Sequence, residues 1–490
     1  MKDTMIQSFE AGNSGAYGDL LSQQQDVRAV RIGLLTCGYF EYWHMYPGLR
    51  EEVQQDLEAI VAHIEERIGA TVRSGLVDTL DAAEAAGRRF AAERVDALIV
   101  VEGTYLPDFI SLHAIDFVKN VPLLLVSMQM ADDVNIHSNY QHSLRNSGII
   151  GVAQLSGTLR KMKRKFRTVV GAIGEERAYE RIASFAAAVR GVSSLREANI
   201  GVIGHVFRGM YDLELSKTFL KSAFDVNIIY IQSAHLMDEW EGVSQEAAES
   251  VKNQLMARFR TRGVTENDIL RACRLAVAMQ RLVERFHLDA LCFLDQHYVQ
   301  RQTRTSARIG ASLLMENTPV SVACEGDLGG LVMMMLMRAI SGAAPLMGEW
   351  GEFDTTTNSC FIIGHGIASP ELAVSDGAVT LTRTPEDWGI NGAGLNYEFL
   401  LKPGLATIGH LLEKQDGYRM LIAPVESIPF QTLQYDELHA MLQVKTPVRE
   451  YLERIFDAGV AHHAIVCPGD ISVALGFAAD LLEIETLVAR

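Results

Sequence analysis

Short apolar runs alternate with amphipathic stretches through residues 31–340. Residues 31–38 (RIGLLTCG) form a β-type run. Residues 48–68 carry Leu49, Val53, Leu57, Ile60 and Ile64 at spacings of three and four, which predicts a helix. Residues 96–101 (DALIVV) and 121–127 (VPLLLVS) read as the next strands, with helical stretches between them. After a helical segment at 175–190 a second series begins. Its strands are 199–205 (NIGVIGH), 226–231 (VNIIYI), 289–295 (DALCFLD) and 320–324 (VSVAC), with an amphipathic helix at 266–286. Strand, helix, strand, helix is the order of a parallel sheet covered on both faces. Two such series predict two α/β units with a boundary near residue 170.

The texture changes after residue 345. Short β-like pieces at 360–364, 379–384 and 418–424 are separated by Gly, Asn and Asp turns, with few long helical patterns before 448–457. The expected fold is α/β. Two doubly wound parallel-sheet domains, residues 1–170 and 171–345, precede a mainly antiparallel, β-rich domain at 346–490. The most apolar stretch, 328–340 with Met333, Met334 and Met335, is about half the length that spans a bilayer and reads as a buried helix.

Composition sharpens this picture. Across 490 residues, 48% are apolar and 21% charged, which excludes a disordered or collagenous chain. The 44 basic and 61 acidic side chains leave a net charge of −17, a balance that repels phosphate, so nucleic acid is not an expected partner. The one local exception, 160–167 (RKMKRKFR), reads as a solvated helix face or a subunit contact, because no aromatic platform accompanies it. Residues 13–25 look like a loose leader, and residues 1–30 contain no signal-peptide core. Cysteines 37, 273, 292, 324, 360 and 467 show no paired spacing, and most lie in apolar runs. The expected compartment is a reducing cytoplasm, without a membrane partner.

In open parallel sheets chemistry sits beyond the carboxyl ends of the strands. No such turn here reads GxGxxG, no Walker loop occurs, and the GxSxG elbow of serine hydrolases is missing. The turn after 320–324 instead reads Glu325-Gly326-Asp327-Leu328-Gly329-Gly330. Glu349 follows in an acidic, aromatic cluster with Trp350, Glu352 and Phe353. His365 follows the run 360–363, and His462 and His463 precede the run 464–467. Singly, each has an ordinary structural reading: a helix-start charge, a solvated turn, a hydrogen-bonded histidine. Together they offer carboxylates and imidazoles around β-like runs, a mixed O/N set that suits a divalent ion such as Mn²⁺. Structural zinc prefers thiolates, and there is no CxxC.

At these residues the chain resembles the L-arabinose/L-fucose isomerase families, ketol isomerases that use Mn²⁺. Cys324-Glu325-Gly326-Asp327 looks like their GEGD segment, which carries the first metal carboxylate. Glu349-Trp350, 24 residues on, sits where the fucose branch has an Asp-Trp pair. Gly364-His365 resembles the G-x-H segment of the arabinose branch. Residues 458–463 (AGVAHH), with Phe477-Ala478-Ala479 and Ile484-Glu485, are similar to its ending, where the second His is a ligand. Residues 31–50, with Tyr42, Trp43 and Pro47-Gly48-Leu49, look like the start of the fucose branch. Gln129 and residues 135–146 resemble a polar turn of the arabinose branch in outline. Two departures stand out. Met347-Gly348-Glu349-Trp350 replaces Met-Glu-Asp-Tyr, which leaves Glu352 a rival second carboxylate, and Ala464 replaces a Thr.

The resemblance implies an aldose–ketose isomerase working through an enediolate. Glu325, Glu349, His365 and His463 would hold the metal, with Glu325 and Glu349 shuttling protons between C1 and C2. His462, Gln129 and Trp43 would contact the sugar. It also implies a homo-oligomer, a hexamer with sites at subunit interfaces. Two other readings are open. One is an isomerase or oxidoisomerase of a branched sugar or sugar acid. The other is a non-catalytic sugar-binding pair of lobes, against which the β-rich third domain counts.

Overall fold

The computed structural model describes residues 30–489 apart from 131–133, 135–138, 295, 297, 385–393 and 434. The proposed leader and part of the 135–146 segment lie outside the described residues. The chain divides into two compact units, Arg28–Ser193 and Ser194–Arg490.

The N-terminal unit is built on five parallel strands: β1 (Ile32–Cys37), β2 (Val72–Val77), β3 (Ala97–Glu102), β4 (Leu123–Gln129) and β5 (Phe166–Ala172). Their order is β2-β1-β3-β4-β5. Strands β1 and β3 are buried along their whole length, as parallel strands covered by helices on both faces must be. The helix predicted at 48–68 runs Leu49–Ile68 and buries the five apolar positions that announced it.

The C-terminal unit holds three sheets. Strands β6 (Asn199–Ile203), β7 (Asn227–Ile231), β9 (Ala290–Phe293) and β10 (Ser321–Ala323) form a parallel sheet in the order β10-β9-β6-β7. A small three-stranded sheet joins β8 (Arg260–Arg262), β13 (Thr380–Arg383) and β14 (Leu395–Glu398). The third sheet contains β11 (Leu346–Asp354), β12 (Ser359–Gly364), β15 (Gly404–Lys414), β16 (Gly417–Ser427), β17 (His439–Gln443), β18 (His463–Pro468) and β19 (Glu485–Val488). Its order is β15-β18-β11-β12-β17-β16-β19, and an additional β15–β16 pairing closes six of its strands into an antiparallel ring. The fold is therefore the expected α/β class with a mainly antiparallel C-terminal portion.

One connection positions the site. The chain leaves β10, turns through Cys324–Asp327, and enters the helix Leu328–Ser341, nearly all of which is buried. That helix packs on β15 where Gly409 makes room: a Cβ there would lie 2.4 Å from Met333 Cε. It then delivers the chain into β11. No described helix is long and apolar enough to cross a membrane.

Candidate metal centre

Glu325, Glu349, His365 and His463 come together in the C-terminal unit. One possible ligand atom from each lies within 4.8 Å of all the others. Each arrives by a different route. Glu325 occupies the turn after β10 with φ 60°, a left-handed backbone that a non-glycine residue adopts at a cost. Gly326 beside it has φ 79°, and a Cβ there would lie 2.5 Å from Val206 Cα, so only glycine lets the turn close. Glu349 is not in a turn, as the sequence pattern had suggested, but inside β11. His365 follows β12, and His463 opens β18. In the β11–β18 ladder Glu349 pairs with His463, so both side chains leave the sheet on one face.

Local contacts aim these groups inward. His365 Nε2 is 3.2 Å from Glu349 Oε1, and His463 Nε2 is 3.3 Å from Glu325 Oε2. Gln296, in the turn after β9, donates from Nε2 to Glu325 Oε1 at 2.9 Å. Asp327 Oδ2 accepts from His463 Nδ1 at 2.9 Å. Burial opposes charge on Glu325, but the His463 and His365 rings hold its carboxyl down at about 2. Burial also opposes charge on Glu349, yet His365 beside it keeps it below the usual range. The His463 ring is driven the other way. Burial disfavours its charge, and Asp327 and Glu325 still push it up to about 9.

This donor set fits a divalent cation. Glu325 Oε2 and His463 Nε2 are buried, face one another, and make no hydrogen bond to any described residue. Burying such atoms without a partner is costly, and an ion between them removes the cost. Two carboxylates balance a double positive charge, and Asp327 holds the far nitrogen of His463 in the way that carboxylates hold metal-binding imidazoles.

The remaining sequence candidates fall in different places. His462 lies beside the cluster, with its ring centroid 4.2 Å from that of His463. Asp212 Oδ2 accepts from its Nδ1 at 2.6 Å and from its backbone N–H at 3.1 Å. Glu352 is exposed further along β11, accepts from Tyr435 Oη at 3.3 Å, and is not one of the four. Trp43 and Gln129 belong to the N-terminal unit. Trp43 Nε1 donates to Asp78 Oδ2 at 3.0 Å, and Gln129 ends β4.

The loop after β6 flanks the centre. Phe207 N–H donates to the Glu325 carbonyl at 2.9 Å, while Val206 and Leu213 pack on Ala461, next to His462. A tight turn closes through Met210 N–H to the Phe207 carbonyl at 3.1 Å, with Gly209 at φ 97°. Arg208 stands exposed in that turn and pairs with no described residue.

No family model matches the chain. It is 24% identical over 352 residues to the sulfoquinovose isomerases of Priestia aryabhattai and Priestia megaterium, covering 70% of this chain and 76% of each relative. It is 23% identical over 334 residues to the sulfoquinovose isomerase of Alkalicoccus urumqiensis, covering 67% and 73%. The chain is similar to sugar isomerases. That likeness and the buried cluster support an isomerase of carbohydrate metabolism with a centre able to hold a metal.

Proposed function

We propose that the chain is a divalent-metal-dependent aldose–ketose isomerase of the L-arabinose/L-fucose isomerase type. It would be a cytoplasmic homo-oligomer, a hexamer in which Trp43 and Gln129 of the N-terminal unit serve a subunit-interface site. The observation that carries the reading is the convergence of Glu325, Glu349, His365 and His463 on one buried point. Glu325, Glu349, His365 and His463 would hold Mn²⁺, which supplies polarisation of the sugar carbonyl when bound.

The chain's own groups account for the remaining chemistry. Isomerisation needs one group to take a proton at C2 and another to protonate the carbonyl side. Glu325 and Glu349 lie close enough together to serve one substrate carbon pair. Glu325, with one carboxylate oxygen facing the centre, is assigned the base. Gln296 occupies its Oε1 and leaves Oε2 turned to the centre. His462 Nε2 is buried, has no described partner, and is available to a sugar hydroxyl.

For the substrate, the relatives' name favours a hexose with an anionic group at C6 over a neutral aldose. Arg208 is a suitable cation for that group, since its turn is hydrogen-bonded to the backbone of Glu325. The test combines metal analysis with ¹H NMR in D₂O. Purified protein should carry about one Mn²⁺ per chain and exchange the C2 proton of sulfoquinovose, and EDTA should stop exchange reversibly. Full turnover by metal-free protein refutes the metal, and saturable sugar binding without exchange returns the protein to the binding class.

A further inference from the structure

Behind His463, Asp327 meets a second buried histidine, His410, that no part of the proposed chemistry uses. Asp327 is fully buried and follows Glu325 by two residues. Its Oδ1 accepts from the Gly330 N–H at 2.7 Å, which caps the helix Leu328–Ser341. Its Oδ2 serves two rings at once, His463 Nδ1 at 2.9 Å and His410 Nε2 at 3.0 Å. His410 stands on β15, and its Nδ1 faces the Leu411 carbonyl at 3.0 Å. Both nitrogens of His410 thus face oxygen atoms.

The surroundings are shaped for this arrangement. A Cβ on Gly330 would lie 2.3 Å from Asp327 Oδ2, and one on Gly329 would lie 2.6 Å from the Leu411 carbonyl and 3.3 Å from His410 Cε1. Two glycines at the start of a helix are otherwise unfavourable, and here they make room for the carboxylate and the ring. Helix capping alone does not account for the second oxygen. An aspartate that only capped would have no need of two buried imidazoles on its other atom.

We propose that Asp327 and His410 are a positioning pair for the metal ligand His463. Because Asp327 Oδ2 can only accept, it keeps the His463 proton on Nδ1 and presents the Nε2 lone pair to Glu325 and Glu349. His410 secures that oxygen from the opposite side, so the carboxylate cannot rotate away. The role spans two sheets: Asp327 follows the parallel sheet, while His410 and His463 belong to neighbouring strands of the antiparallel ring. The inference rests on the reading of the four-residue cluster as a metal centre.

The experiment is Mn²⁺ titration of the full-length protein, followed by electron paramagnetic resonance and isothermal calorimetry, with wild type, Asp327→Asn and His410→Gln side by side. Asparagine still caps the helix through its oxygen but turns its NH₂ toward His463, which forces the proton onto Nε2. Mn²⁺ affinity should fall about 10- to 100-fold. His410→Gln keeps a donor for Asp327 and should stay much closer to wild type. Asp327→Asn protein that is folded by circular dichroism and binds Mn²⁺ like wild type overturns the proposal. If Asp327→Asn does not fold, His410→Leu takes its place: weakened Mn²⁺ binding supports the pair, and unchanged binding overturns it. A wild type that binds no Mn²⁺ overturns the metal centre itself, an outcome distinct from the others.

Discussion

Glu349 and His463 stand directly opposite one another in the β11–β18 ladder, with their side chains on one face of the antiparallel sheet. Three residues further along β11, Glu352 lies on its exposed stretch and meets Tyr435 instead. The β11–β12 register shifts between Trp350 and Phe353, so alternation alone does not separate the two acids; what separates them is position, since only Glu349 lies within reach of Glu325, His365 and His463.

That geometry ranks the two acids. Glu349→Gln should lose bound Mn²⁺ or nearly all turnover, whereas Glu352→Gln should change either by little. Metal content by mass spectrometry after gel filtration, together with initial rates, checks this. The reverse ranking transfers the second carboxylate to Glu352.

Glu325→Gln separates base from ligand. The amide oxygen can still coordinate, but the group no longer accepts a proton, and loss of a general base costs about 10²–10⁴-fold in rate. The protein should keep part of its Mn²⁺ while deuterium incorporation at C2 falls by that factor. Near-normal incorporation would make Glu349 the base.

Arg208→Gln tests the anionic substrate. A hydrogen bond to a charged group contributes about 1.5–3 kcal/mol, so KM for sulfoquinovose should rise about tenfold or more. KM for glucose, which has no charge at C6, should stay the same. Parallel rises for both sugars would show that the loop was disturbed and would count against Arg208 as the anion reader.

Glu102 predicts how stability depends on pH. Burial pushes this carboxyl from 4.5 up to about 8, with Ser111 Oγ its hydrogen-bond donor at 3.2 Å. Between those two values the folded state keeps a proton that the unfolded state has released, so stability falls as pH rises across that window and levels off above it. Glu102→Gln mimics the protonated form. It should remove that share of the slope and raise Tm by several degrees near neutral pH, measured by calorimetry over the same range. A variant with an unchanged slope would show that Glu102 is not its source.

The sequence was most legible where a residue's neighbours leave little choice. Buried parallel strands such as β3 read as unbroken apolar runs, and the helix Val448–Asp457 shows a strong one-sided pattern. Edge strands were harder. In β2, Arg73, Ser74 and Gly75 interrupt the apolar positions, and the basic run at 160–167 splits between the end of the helix Gly148–Lys161 and the start of β5. The helix Ser472–Leu482 gives no clear periodic signal, because its small apolar residues surround it without a polar stripe. All four cluster residues are visible as chemistry, but the Gly and acidic neighbours of Glu349 look like a turn and hide the strand that carries it. Gln296 carries no signal of its own in the sequence, since it comes directly after the apolar run 289–295. Asp327 was in plain view, yet an acid that caps a helix and one that orients a histidine have the same sequence signature.

The four cluster residues also divide between two sheets: Glu325 follows the parallel one, while Glu349 and His463 sit on strands of the antiparallel ring and His365 directly follows another. A cation held by all four is therefore a cross-link as well as a reagent. It ties positions as far apart as residues 325 and 463, and an unfolded chain offers no such grouping. At a concentration one hundred times its dissociation constant, a ligand that binds only the folded state adds about 2.7 kcal/mol of stability. Metal supply would then set how long this half of the chain survives heat and proteases, independently of whether any sugar is present.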